Sequence, residues 1–564
     1  MKGTSYSSIY SALSHRSSSL RRHRHFRKAG FSTRGVQTAP PVLLQQRKYG
    51  SVTEVPAEAF FRYTRKRWLV SDHEERSKRY RKFHIEELIG AATQSIMKFP
   101  EGQYNKAFLL TFDDKSEVVA KLPNPNAGPA ILTTASEVAT MEFACRFIGI
   151  PIPRVLDWSC DPLNPVGSEY IIMEKARGTL LSSCWYEFPS STKYNLITQV
   201  VELESKLASF PFPVHGCIYH KQDLPPQYSD AQVSFAGDDL QEFCIGPVVD
   251  SLFWPDSRSE LQLSRGPWRD LSDYATSLAD KEKRWINRYA QPRINYCRSY
   301  TDRETPSEYI DLVEKYLQVA TSITQSHPET PGILQSMLWH SDLHLSNMYV
   351  DLATETITDV IDWQDTATAP LILQGKIPPM ARHVSPPADY NNLLEDAKLQ
   401  VDALYKSALC HKYYEVITAK RNPRNYAALT HNDGWKPPHI RPNKAIGGAW
   451  ADKEILRLRE SLIDLVDNWA AIQSQNECPV QFTPEERALH REEIENREYV
   501  ELMMEGFQAA GLLLSDGVVE PEDYETIQRT NDTLKAQFLL LAENGEERAW
   551  MDKVWPYQDP PQDS

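Results

Sequence analysis

Between about residues 90 and 178 the spacing of apolar positions changes several times, and each change predicts an element. Apolar and polar residues alternate through "KAFLLTF" and through "EVVAKL", with the turn residues "DDKS" between them, so the pattern predicts an antiparallel hairpin. The spacing then lengthens. In "TTASEVATMEFACRFIGIPIP", Val138, Met141, Cys145 and Phe147 fall near one face of a helix that stops before Pro151. Strand spacing returns in "SEYIIMEKARG", while the upstream "HEERSKRYRKFHIEELIGAATQ" is mixed and reads as helical. Strands, one helix and further strands make a small α+β lobe.

Beyond residue 178 helical patterns dominate. "TKYNLITQVVELESKLASF" is amphipathic, and the stretch from about 210 to 300, rich in Pro, Asp, Ser and Trp, reads as an irregular insertion. Two helix starts carry full capping chemistry: Thr305 before Pro306 with Glu308 three residues on, and Thr483 before Pro484 with Glu486. "NMYVD" and "ITDVIDW", joined by "LATET", predict one more hairpin. The expected organisation is a leader over 1–53, an N-terminal lobe over 54–178, a C-terminal lobe over 179–380 that contains the insertion, and a helical extension over 381–564. No internal repeat interrupts this order.

Composition and charge narrow the function. With 41% hydrophobic and 24% charged residues the chain is globular, and a formal net charge of −14 argues against nucleic acid as a partner, because such binding uses lysine and arginine to neutralise phosphates. The first 53 residues differ from the rest: ten Lys and Arg, many Ser, no Asp or Glu, the composition of a mitochondrial transit peptide. Removing those ten charges takes −14 to −24. No apolar run approaches the roughly 20 residues of a membrane span, so no membrane span is predicted. The eight cysteines are scattered without a CxxC pair, which fits reduced, mostly buried thiols and supports no zinc site.

Four pieces could together form one chemical device. In the loop "FPEGQYNKA", Gly102 would let backbone N–H groups approach a phosphate, although a turn alone would also account for it. Lys121 is a cation within a strand that otherwise reads as buried. It needs an anionic partner, with Glu137 and Glu142 on the following helix, or else an edge position where its ammonium reaches water. In "HSDLHLSN", Asp342 can accept a hydrogen bond from an attacking hydroxyl, and Asn347 can turn back to hold a metal ion. Asp362, returned beside Asn347 by the last hairpin, supplies a second oxygen ligand for Mg²⁺, with ATP phosphates and water completing the shell. Two other readings explain less: His340, Asp342 and His344 as a metal triad lack a distant ligand, and a serine hydrolase lacks a GxSxG elbow.

At "EGQYNKAFLLTF", "VVAKLP", "SEVATMEF", "GIPIPRVLDW", "YIIMEKARGTLL", "HSDLHLSNMYVD" and "VIDWQD" the sequence resembles the aminoglycoside phosphotransferase family, over roughly residues 95 to 375. The texture is similar to the fungal mitochondrial branch called altered inheritance of mitochondria proteins. The resemblance implies an α+β, two-lobed protein-kinase-like fold with a small β-rich N-lobe and a large mainly helical C-lobe. It implies ATP and Mg²⁺ as cofactors and a small-molecule acceptor as partner. By resemblance Lys121 contacts the phosphates and pairs with a helix glutamate, Glu137 or alternatively Glu142. Backbone from Glu174 to Ala176 holds adenine, and Gly178 marks the turn into the large lobe. By the same resemblance Asp342 is the catalytic base or an orienting carboxylate, Asn347 and Asp362 are the magnesium ligands, and His340 is structural. The insertion and the C-terminal helices are expected to build the acceptor pocket. Ser341 stands where the family has glycine, and GxGxxG, HRD, DFG and APE are missing, which removes regulated protein kinase activity from the expectation. A nucleotide-binding regulator acting through protein partners is the alternative.

Overall fold

A computed structural model describes residues 43–48, 51–89, 93–235, 237–254, 256–295, 297–298, 302–324, 332–382, 395–433, 441–448, 450, 455–472, 477–509 and 517–559. Most of the expected leader, residues 1–42 and 49–50, lies outside them. Its last part departs from expectation. Leu43–Lys48 runs parallel to Thr93–Lys98, and Ser51–Glu54 pairs antiparallel with Leu43–Lys48, so these residues add strands to the small lobe. Backbone pairing with an apolar sheet outweighs the leader-like composition there.

The small-lobe sheet runs through seven strands among the described residues: Ser51–Glu54, Leu43–Lys48, Thr93–Lys98, Asn105–Phe112, Glu117–Pro123, Tyr170–Glu174 and Val155–Ser159. The pleat sorts its side chains. Phe108, Leu110, Val118, Ala120 and Leu122 share one face, covered by Phe60, Phe61, Phe83 and Leu88 of the preceding segment. Alternation then sends Lys121, opposite Ala107, to the other face. There the helix Leu132–Phe143 packs, continuing as a π-turn over Ala144–Ile148. The π-turn adds a residue to that turn, and Cys145, expected on the apolar face, is exposed.

The lobes join at Tyr170–Glu174 and Gly178. Gly178 has φ +87°, and a Cβ there would stand 2.4 Å from the Val350 carbonyl oxygen, so the crossing requires glycine. The large lobe is mainly helical, with Ser190–Leu207, Leu271–Tyr289, Pro306–Thr324, Ile455–Asp467 and Pro484–Ala509 among its helices. Both capping boxes form: Thr305 N donates to Glu308 Oε1 at 3.2 Å, and Thr483 N to Glu486 Oε2 at 2.7 Å.

The insertion is more ordered than expected. Cys217–His220, Phe243–Gly246 and Val233–Ser234 form a sheet, and Pro211–Phe212 pairs with Ser336–Trp339. The C-terminal extension is not wholly helical either, since Val518–Val519 pairs antiparallel with Arg67–Trp68. No helix among the described residues is long and apolar enough to cross a membrane.

Candidate functional site

Three elements meet at Lys121. Its Nζ lies 2.6 Å from Glu137 Oε1, 2.9 Å from Glu137 Oε2 and 2.6 Å from Asp362 Oδ1. Burial opposes the charge on Lys121, but the carboxylates of Asp362 and Glu137 overcome it and hold the ammonium above its usual range. Burial pushes the Glu137 carboxyl up, while Asp362, more open to solvent, is held below its usual range by Lys121. Of the two glutamates left open by the sequence, Glu137 is the partner. Glu142 is bound instead to Arg146 at 2.6 Å and to His220 at 3.3 Å.

The loop after Ser336–Trp339 presents Asp342. His340, 1% exposed, anchors it: its Nε2 is 3.0 Å from the Ile361 carbonyl, and its Nδ1 accepts from Asp342 N at 3.2 Å. Burial holds this imidazole below its usual range, so the ring is neutral and works as a brace. The Asp342 carboxylate stays open to solvent, 3.1 Å from His344 Nε2, which lowers its pKa and raises that of His344.

Asn347 Nδ2 donates to the Asp342 carbonyl at 2.9 Å, which leaves its Oδ1 without a hydrogen bond among the described residues. The Asn347 carbonyl accepts from Ile361 N at 2.9 Å, so Met348–Asp351 and Thr356–Val360 bring Asn347 to the residue before Asp362. Asp362 itself takes φ +63°. One amide oxygen and one carboxylate at neighbouring strand ends are hard oxygen donors, and they fit Mg²⁺.

Gly102 lies in the loop between Thr93–Lys98 and Asn105–Phe112. That loop overlooks the cluster, because Asn105 Nδ2 donates to Gln364 Oε1 at 2.7 Å. No left-handed φ requires a glycine at 102, and a Cβ there would meet only the Asn105 carbonyl oxygen, at 3.8 Å. Glu174 ends the strand Tyr170–Glu174, and Ala176 follows in the connector between the lobes. Glu174 N donates to the Arg154 carbonyl at 2.9 Å, and the Glu174 side chain pairs with Arg154.

Sequence reasoning passed over several residues. Asp359, 1% exposed, accepts from Arg177 N at 2.7 Å and from the Arg177 guanidinium, tying the connector to the strand Thr356–Val360, which ends two residues before Asp362. Its signal was available, since it shares the inward parity of Ile357. A cavity of about 240 Å³ beside the loop is lined by His215, Asp250, Tyr274, Ser341, Asp365 and Lys376, among others. A smaller one, about 50 Å³, includes Asp342 and Glu204 in its wall and shares Trp339, Ser341 and Lys376 with the first. Insertion residues His215, Asp250 and Tyr274 line the larger cavity, and no described residue beyond 394 stands in the wall of either. His215, 6% exposed, is held against Trp268 and Tyr274; its Nδ1 has no hydrogen-bond partner among the described residues, and burial pulls its imidazole down to about 3. No motif marks these residues, which come together only through the fold.

The model of a family described as "Phosphotransferase enzyme family" matches residues 95–373. The subtelomeric hrmA-associated cluster protein of Aspergillus fumigatus strain CEA10 is 32% identical over 514 residues, covering 82% of this chain and 96% of that protein. The Saccharomyces cerevisiae S288c protein named altered inheritance of mitochondria protein 9, mitochondrial, is 26% identical over 534 residues, covering 78% and 83%. Among solved structures, aminoglycoside phosphotransferase APH(4)-Ia in a ternary complex with AMP-PNP and hygromycin B aligns at 13% identity over 68% of this chain and 94% of that one, with a TM-score of 0.30.

Proposed function

The chain belongs to the phosphotransferase enzyme family, and from that premise we propose that it transfers the γ-phosphoryl group of ATP to a hydroxyl of a small molecule in the mitochondrion. The observation that carries this reading is the convergence of Lys121, Glu137 and Asp362, from a strand, a helix and a hairpin end, into one bonded cluster beside the Asp342 loop. A lysine kept charged by two carboxylates suits a phosphate chain, whose charge it can neutralise. The basic, acid-free leader and the mitochondrial names of the relatives support the compartment.

The geometry supports the following roles. Lys121 meets the phosphates, oriented by Glu137. Asp342, exposed and anchored by His340, accepts the hydrogen bond of the acceptor hydroxyl and takes its proton. Asn347 Oδ1 and the Asp362 carboxylate would hold Mg²⁺, which when bound supplies positive charge to the phosphate oxygens. Catalysis then rests on positioning and charge neutralisation rather than on a covalent intermediate. The cavity of about 240 Å³ is below the roughly 300–1,000 Å³ typical of sites for drug-sized ligands, which favours a small acceptor.

Transfer from γ-labelled ATP to a panel of small hydroxyl compounds tests the reading. Acceptor-dependent transfer should fall at least about 100-fold in Asp342→Asn, in the range expected for loss of a general base. Tight ATP binding without transfer to any member would instead favour a nucleotide-binding regulator.

A further inference from the structure

The loop over residues 99–104 has a single glycine, and that glycine is not conformationally required. A loop meant to meet phosphates must nevertheless be held, and what holds this one lies behind it. Glu101 is 2% exposed. Its carboxylate accepts from Lys106 Nζ at 2.6 Å, Thr64 N at 2.7 Å and Thr64 Oγ1 at 3.1 Å, with Lys98 Nζ also at 3.1 Å. Its carbonyl accepts from Arg65 Nη1 at 2.7 Å. Lys98 donates to the Ala59 and Arg62 carbonyls at 2.7 and 2.8 Å, and Lys106 to the Arg79 carbonyl at 2.9 Å.

These bonds tie the loop and both its flanking strands to residues 59–79, which precede the part matched by the family model, 95–373. The segment to which the loop is tied is therefore additional to the matched region, while Lys98, Glu101 and Lys106 lie within it.

The energetics argue that this is not a device for stability alone. Lys98 and Lys106 are each 0% exposed and share one carboxylate, so one ammonium charge is left to backbone carbonyls. Burial pulls Lys98 down to about 8 and Lys106 below its usual range. An apolar cluster of the same volume would avoid that desolvation, and in some proteins buried ionic groups are retained for the conformation they specify. The geometry imposed here is that of the loop. Lys98 stands opposite Phe108, and Lys106 precedes Phe108 by two residues, so the pleat turns both away from the face that carries Lys121. The cluster acts through the loop rather than by touching the ligand.

We propose that Glu101 is a positioning residue for the nucleotide phosphates, pinning the loop to the N-terminal segment through Thr64, Arg65, Lys98 and Lys106. The proposal rests on the ATP reading of the site.

Calorimetry on the full chain, with ATP·Mg²⁺ and with adenosine as separate ligands, tests it in Glu101→Gln and Arg65→Ala. Adenosine lacks the phosphates, so a general structural defect weakens both ligands, whereas a misplaced phosphate loop weakens only ATP. The expected result is ATP binding weaker by about tenfold in Glu101→Gln and about threefold in Arg65→Ala, with adenosine within about twofold of wild type. Arg65 is exposed, so its variant carries the test if Glu101→Gln does not fold. Wild-type ATP affinity in the variants, or equal losses for both ligands, overturns the proposal. Wild-type protein that binds neither ligand removes the ATP reading and this inference with it, an outcome distinct from the other two.

Discussion

Lys121 is charged because two carboxylates overcome the burial that opposes it, and the same arithmetic predicts what its loss does. In Lys121→Met, Glu137 keeps its buried carboxyl without a cation, and breaking a buried pair from one side costs about 3–5 kcal/mol. The variant should melt earlier and lose ATP binding; a double variant with Glu137→Gln should recover the melting temperature but not the binding. Glu204 offers a test of a different kind. It is 1% exposed, accepts from Tyr414 Oη at 2.8 Å, and burial pushes its carboxyl up to about 8 from an ordinary 4.5. A folded pKa above the unfolded one means a contribution fully present below about 4.5 and lost as pH rises through about 8. Glu204→Gln keeps an acceptor for Tyr414 but does not ionise. It should therefore match wild type below about pH 4.5 and exceed it by about 4 kcal/mol near pH 8 in denaturant titrations; parallel curves would contradict this. Lys121, Asp342, Asn347 and Asp362 were legible in the sequence because each breaks an apolar run with chemistry the run does not need. His215, Asp250 and Asp365 were not, because only the fold places them beside one another.

The connection between lobes depends on one backbone position. At Gly178 a side chain would meet both a left-handed φ and the Val350 carbonyl at 2.4 Å, so Gly178→Ala should cost at least about 2 kcal/mol in chemical denaturation. At the helix starts the expected effect is smaller: Thr305→Ala should cost about 1 kcal/mol, measured in the same way. These elements could be read from local rules. The hairpin Asn105–Phe112 with Glu117–Pro123 follows from alternation and a turn, and both capping boxes from residue type. The strands Cys217–His220 and Val233–Ser234 were hidden because runs of two to four residues show little alternation and sit among Pro, Ser and Asp. Cys145 was misplaced because a π-turn changes the period on which a helical face is drawn.

Two segments far apart in the sequence meet beside the small lobe. Val518–Val519 pairs with Arg67–Trp68, Lys66 bonds Glu520, and Leu69, Val519, Ile527, Trp555 and Tyr557 form a core of their own. A contact across some 450 residues leaves no local trace, so the sequence pattern described the last segment only as a helical extension. Val519→Asp should speed hydrogen exchange at Trp68 and Leu69 well before global unfolding. The proposed nucleotide site between the lobes is tested by calorimetry of ATP with and without Mg²⁺. Binding should depend on magnesium, weaken about tenfold or more in Asp362→Ala, and persist in Asp342→Ala. Equal binding by all three proteins, or none by the wild type, would contradict it.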